Sequence, residues 1–214
     1  MTSILFDYCI VGAGMAGASL AAELAPFASV LLLEAEDHPG YHATGRSAAF
    51  WEECYGGPDV VPLTQASRPF LERHGLLNQR GALYIGRNQD VPALDSFVGR
   101  FAPKGVELVR LGRDELNGKV HGLKPDWCEA VWQPECADID VARLHTHYLA
   151  AARRGGARLE IRARLETARN GSEGWSLSTT DGREYSAKRL INAAGAWADN
   201  VAQMAGVKPL GIRP

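Results

Sequence analysis

DYCIVGAGMAGASLAAELA, residues 7–25, is the stretch whose reading decides the fold. Tyr8 to Val11 is an unbroken apolar run that reads as a buried strand. It turns through Gly12-x-Gly14-x-x-Gly17 and continues as an Ala/Leu-rich helix. Strand, glycine turn and helix in that order form a dinucleotide-binding fingerprint. Gly12 makes the tight turn, Gly14 lets backbone approach a pyrophosphate, and Gly17 lets the helix pack on the strand. The helix start then offers unpaired N–H groups to an anion. Val30-Leu31-Leu32-Leu33-Glu34 follows, a second buried strand ending in an acid. Glu34 lies about 20 residues past the turn, where a ribose-binding carboxylate belongs.

The rest of the composition is that of an ordinary folded chain. Of 214 residues, 46% are hydrophobic and 22% charged, enough for one large domain or two small ones. A formal net charge of -2 gives no reason to expect nucleic acid or an anionic membrane as partner. Cys9, Cys54, Cys128 and Cys136 show no metal-type spacing, so they read as free thiols of a reducing compartment, and a cytoplasmic location is expected. The first basic residue is Arg46, so no signal peptide is expected, and no stretch is apolar enough to span a bilayer.

Further along, Ser47 is expected to cap a short helix reaching Cys54, stopped by Gly56-Gly57-Pro58. A second helix is expected over 60–73. Residues 81–134 change character: strands at 82–85, 106–111 and 130–132 surround a helix over 91–101, with the nucleotide-fold pattern absent. This region reads as a module inserted into the nucleotide domain. Asp140 then caps an amphipathic helix whose apolar stripe is Val141, Leu144, Tyr148, Leu149 and Ala152. A strand around Leu159 and Ile161 and three short strands at 164–169, 175–180 and 184–187 follow. Asn170-Gly171 and Asp181-Gly182 supply the turns of this β-meander. Residues 189–193 resume the parallel sheet, and 195–205 close as a helix.

Two more stretches have candidate chemistry. In PGYHATGRSAAFWEECY, residues 39–55, the small residues Ala43, Gly45, Ala48 and Ala49 let backbone approach a flat ring. An ordinary glycine-containing loop explains the same residues, and the two readings stay open here. In LINAAGAWAD, residues 190–199, a strand runs into Ala-Ala-Gly, which suits either a cofactor wall or a packed strand–helix turn.

Taken together and in this order, GAGMAGASLAAEL, Glu34, HATGRSAA, the ADIDVARLHTHYL helix and INAAGAWAD resemble the FAD-dependent D-amino-acid oxidase/dehydrogenase family. The likeness is greatest to bacterial D-arginine-dehydrogenase-type members and loosest over 81–126. The resemblance implies an α/β fold: a Rossmann-like FAD-binding domain with parallel sheet and β-meander in segments 1–50 and 140–214, plus part of an inserted α+β substrate domain, 51–139. It implies FAD as cofactor and hydride transfer from a D-amino acid or related amine to flavin N5. The partners would be that small molecule and an oxygen or quinone-type electron acceptor. Gly12, Gly14, Ala16 and Gly17 would hold the pyrophosphate, and Glu34 and Ala35 the adenosine ribose. Thr44, Gly45, Arg46, Ser47 and Ala48 would flank the flavin ring, and Ala193, Ala194, Gly195 and Trp197 the adenine–ribityl side. Tyr55, on a mobile loop, would sit over the substrate pocket as a gating or contact residue.

The chain departs from arginine-type members in two places. They carry a His where this chain has Phe50 and an acid near the Ala82 position. A guanidinium substrate wants a carboxylate partner, so a neutral or apolar D-amino acid is equally well matched. Family members are also longer by a second half, so the chain reads as an N-terminal fragment, inactive if made alone. A NAD(P)-dependent dehydrogenase and a methyltransferase share the glycine loop and are the alternative readings. His145 and His147, two apart on a helix, face different ways and make a poor metal pair, so they read as helix-surface or interface histidines and no metal is expected. His42 reads equally as a cofactor contact or a turn residue.

Overall fold

A computed structural model describes residues 5–212. The chain divides into two compact units, one from residues up to Ser47 together with those from Val141 onward, the other Ala48–Asp140. The first unit opens with β1 (Leu5–Val11), α1 (Met15–Leu24) and β2 (Val30–Leu33). The second contains β3 (Phe50–Trp51), α2 (Val61–Arg73), β4 (Leu77–Gln79), β5 (Ala82–Gly86), α3 (Val91–Phe101), β6 (Val109–Leu111), α4 (Arg113–Lys119), β7 (Glu129–Gln133) and β8 (Ala137–Ile139). The first unit resumes with α5 (Val141–Arg154), β9 (Arg158–Glu160), β10 (Leu165–Gly171), β11 (Gly174–Thr179), β12 (Glu184–Asn192) and α6 (Ala198–Met204).

The first unit is a six-stranded sheet in the order β10-β11-β12-β1-β2-β9. β1 is parallel to both neighbours, with Val11 opposite Leu33 on one side and Asn192 on the other. β2 is fully buried, as its unbroken apolar run requires of a parallel strand covered on both faces. Its residues alternate between two cores. Val30 and Leu32 join Ile10, Ala21, Ala22 and Ala152 under α1 and α5. Leu31 and Leu33 join Cys9, Val11, the meander residues Leu165 and Leu177, and Val201 of α6. The mixed α/β class with a parallel-rich sheet is the one expected.

Three local readings need correction. The meander's third strand and the resumed parallel strand are a single nine-residue strand, β12. It pairs antiparallel with β11 over 184–187 and parallel with β1 over 186–192. Asn170 and Gly171 lie in the ladder opposite Trp175 and Gly174, so the hairpin turn falls at Ser172-Glu173. The helix expected from Ser47 to Cys54 is absent. Ser47, extended at φ −87° and ψ 132°, ends a 3-10 turn over Thr44–Arg46. Phe50 and Trp51 pair with Asp138 and Ala137 instead. Long-range pairing wins because aromatic side chains suit a half-buried pleated surface. Trp51 is 3% exposed, and its indole N–H donates to the Thr64 carbonyl at 2.8 Å.

The second unit holds two three-stranded sheets, β3-β8-β4 and β5-β7-β6, both antiparallel. The strand expected over 106–111 is confined to its last three residues, because Val106 packs into a cluster with Val61 and Phe101. All four cysteines are free. Among the described residues no helix is long and apolar enough to cross a membrane, and no three potential metal ligands come together.

Two outcomes are expected from this packing. Leu32→Ala should lower unfolding stability by about 2–5 kcal/mol in urea titrations, because a buried central strand cannot collapse onto the cavity left behind. Burial pushes the Cys9 thiol up to about 12. With its sulfur shut away from solvent and its thiolate disfavoured, Cys9 should stay unlabelled by iodoacetamide at pH 8 in the native protein and be labelled in urea.

Candidate functional site

The site is built where three strands of the first unit end. Gly12 N–H donates to the Leu33 carbonyl at 2.8 Å, and Ala193 N–H to the Val11 carbonyl at 2.9 Å. The glycine turn is thus held between the ends of β2 and β12. Gly12 has φ +102°, and a Cβ there would lie 2.4 Å from the Ala193 carbonyl oxygen. Gly17 is close in another way: a Cβ would meet the Gly12 carbonyl at 1.8 Å. It lets α1 start tight against the turn.

A cavity of about 370 Å³ opens beside these ends, within the size of small-molecule and cofactor sites. Gly12 and Gly14 line it, with Glu34 and Ala35 from the end of β2, Thr44 from the following loop, and Ala193, Ala194, Gly195 and Trp197 after β12. The expected cofactor-binding residues that do not line it are Ala16, Gly17, Gly45, Arg46, Ser47 and Ala48, and Tyr55 does not line it either. Ala16 is exposed in the first turn of α1, and Gly45 to Ala48 run on exposed beyond Thr44, Ala48 being the first residue of the second unit. Tyr55 belongs to the second unit. It lies in a turn rather than after a helix, and is 81% exposed.

Glu34 is 8% exposed, and each carboxylate oxygen accepts one backbone N–H: Oε2 from Ala13 at 3.1 Å and Oε1 from Glu36 at 3.0 Å. The acid therefore braces the glycine turn while facing the cavity. Thr44 Oγ1 accepts from Met15 N–H at 2.9 Å, satisfying an amide that α1 leaves open at its first turn.

Several lining residues were not singled out in the sequence. Glu36 and Tyr41 lie beside His42, whose Nε2 is 3.0 Å from Glu36 Oε1 and whose ring centroid is 4.3 Å from that of Trp197. Ala163, Arg164 and Leu165 close another side. They arrive through Arg162, a non-glycine residue at φ +52°, whose N–H donates to Glu36 while Ala163 N–H donates to Glu34. A left-handed arginine is uncommon, and no pattern in the sequence announces it.

His145 overturns its sequence reading. It is 7% exposed, inside the unit, with Nε2 2.7 Å from the Ala13 carbonyl oxygen. The signal was present: 145, 148, 149 and 152 fall at i, i+3, i+4 and i+7, so His145 shares the apolar stripe of α5.

The chain was also compared with known proteins. The family model of FAD dependent oxidoreductases, DAO, matches residues 7–214. L-2-hydroxyglutarate dehydrogenase of Escherichia coli K12 is 24% identical over 220 residues, covering 96% of this chain and 51% of that protein. The chain thus spans about half the length of that relative. Among solved structures, glycine oxidase from Geobacillus kaustophilus superposes with a TM-score of 0.82 at 24% identity, over 95% of this chain and 59% of that one. L-alpha-glycerophosphate oxidase from Mycoplasma pneumoniae, solved with FAD bound, gives 0.86 at 16% identity, over 95% and 57%. These relatives support the family as a whole and do not single out its arginine-type branch.

The crowding at Gly12 predicts the effect of one methyl group. Gly12→Ala should cost about 1–3 kcal/mol from the left-handed backbone alone, and more from the Ala193 carbonyl. Thermal denaturation with an unchanged midpoint would contradict this close approach.

Proposed function

This chain belongs to the DAO family of FAD-dependent oxidoreductases, and on that premise we propose that the intact protein oxidises a small molecule at a carbon bearing an amine, with a D-amino acid or related amine as substrate. The observation that carries this reading is the convergence of Gly12, Gly14, Glu34 and Gly195–Trp197 on one cavity. The residues present suit FAD. Each Glu34 oxygen has spent one acceptor position on a backbone N–H and keeps another for a ribose hydroxyl. Small residues and a helix start at the glycine turn suit a diphosphate. When bound, FAD supplies the two-electron acceptor that takes a hydride equivalent from the substrate carbon, and water then converts the imine product to a 2-oxo acid and ammonia.

The chain's own residues bind and orient. Gly12 and Gly14, with Ala16 and Gly17 at the start of α1, would hold the diphosphate, and Glu34 and Ala35 would take the ribose. Thr44 to Ala48 would flank the redox ring, and Ala193, Ala194, Gly195 and Trp197 would line the adenine–ribityl side. Segments 1–50 and 140–214 are the FAD-binding domain and 51–139 the start of the substrate domain, with Tyr55 as a substrate-contact or gating residue. Electrons pass on to oxygen or a quinone-type acceptor. Four unpaired thiols support a cytoplasmic protein.

One observation favours a second reading. The E. coli relative is a 2-hydroxy acid dehydrogenase by name, so a small 2-hydroxy acid is the competing substrate class.

An anaerobic screen of the intact protein separates the two. D-amino acids, D-arginine among them, are expected to bleach the flavin absorbance and L-2-hydroxy acids to leave it unchanged. Bleaching by 2-hydroxy acids alone would overturn the amine reading and keep the cofactor. Tyr55→Phe is expected to slow turnover severalfold, and unchanged steady-state rates would remove Tyr55 from the site.

A further inference from the structure

Resting on the FAD-binding half of that reading, we propose that His145 is a positioning residue: it aims the Gly14 N–H at the diphosphate of the bound cofactor. Ala13 is completely buried, and both of its backbone groups are held by side chains from elsewhere in the unit. Its N–H donates to Glu34 Oε2 at 3.1 Å from the end of β2. Its carbonyl oxygen lies 2.7 Å from His145 Nε2 on α5. A carbonyl can only accept, so Nε2 carries the proton and donates.

The Ala13 carbonyl and the Gly14 N–H belong to one planar trans peptide, in which the two groups point in opposite directions. Holding the carbonyl against α5 therefore turns the Gly14 N–H away from α5. Gly14 lines the cavity, and among the described residues its N–H meets no protein acceptor. An anionic oxygen in the cavity would complete it.

The same imidazole braces the other side of the site. Gly40 has φ +79°, and a Cβ there would fall 2.8 Å from His145 Cε1 and 3.0 Å from Nδ1. The ring is thus wedged between the glycine turn and the loop that carries Thr44. Gly40 in turn accepts from Gly45 N–H at 2.7 Å, and Thr44 Oγ1 accepts from Met15 N–H. One histidine on a helix remote in sequence sets the spacing between two segments of the cavity wall.

The test compares FAD affinity of the apoprotein, prepared from the intact protein and followed by flavin fluorescence. His145→Leu is expected to bind FAD about tenfold more weakly, the weight of one hydrogen bond. His145→Gln, whose side-chain amide reaches about as far as Nε2, is expected to stay within about threefold of wild type. A role confined to filling space predicts equal affinities in the two variants, since leucine and glutamine both fill about the volume of the ring. Should His145→Leu fail to fold, His145→Asn replaces it, because its amide is one carbon too short to reach Ala13; equal affinity of the Gln and Asn variants would overturn the proposal. Wild-type affinity in His145→Leu, or equal losses in the Leu and Gln variants, would do the same while leaving the function reading intact. A wild-type protein that binds no FAD would overturn that reading and this inference together.

Discussion

The first unit depends on how closely the end of β12 approaches the glycine turn. The Ala193 carbonyl oxygen lies only 2.4 Å from where a Cβ of Gly12 would be. That approach follows from the register of β1, which puts Val11 level with Leu33 on one side and Asn192 on the other. Three strand ends therefore open onto the same crevice, the place where open α/β sheets bind ligands. The absence of a side chain at Gly12 is what permits this geometry, and the cavity is its consequence.

Side-chain hydrogen bonds to backbone stiffen the crevice. Glu34 bonds Ala13 and Glu36, Thr44 bonds Met15, and His145 bonds Ala13. Each contact replaces water on an amide or carbonyl that a turn leaves open, and a buried group left without its partner costs about 1–3 kcal/mol. The outer edge is tied by Arg183, which reaches from the β11–β12 turn to Glu160 and to the carbonyls of Ile161 and Arg162 at 2.9 and 3.1 Å. Arg183 also holds the Asp181 carboxyl well below the usual carboxylate range. This clasp fixes the segment that delivers Ala163 to Leu165 to the cavity.

The second unit has a different character. Its buried acid, Glu53, is 5% exposed and bonded by Gln65 at 2.8 Å and Gln133 at 3.4 Å. Two neutral amides satisfy a carboxylate that the core would otherwise penalise. Burial, reinforced by the Glu52 charge, pushes the Cys54 and Cys136 thiols up to about 12. Cys136 is buried, and Cys54 packs half-buried against Val61, Phe101 and Val106.

The sequence by itself determined the βαβ start and the α/β class, because strand, glycine turn, helix and terminal acid are local patterns with fixed spacing; the family resemblance needed HATGRSAA, the helix after Asp140 and INAAGAWAD as well. It also indicated part of the cavity wall: Gly12, Gly14, Glu34, Ala35, Thr44, Ala193, Ala194, Gly195 and Trp197 were singled out and line it, whereas Ala16, Gly17 and Gly45 to Ala48 were singled out and do not. Tertiary structure alone decided what depends on partners distant in the chain. Phe50-Trp51 became a strand because Asp138 and Ala137 were there to pair with it. β12 became one strand because β11 and β1 flank it in succession. His145 came to bond the glycine turn because the helix stripe that buries it faces the Ala13 carbonyl, 132 residues away along the chain. Periodicity along a chain reports which face is buried; only the assembled fold supplies the group that face will meet.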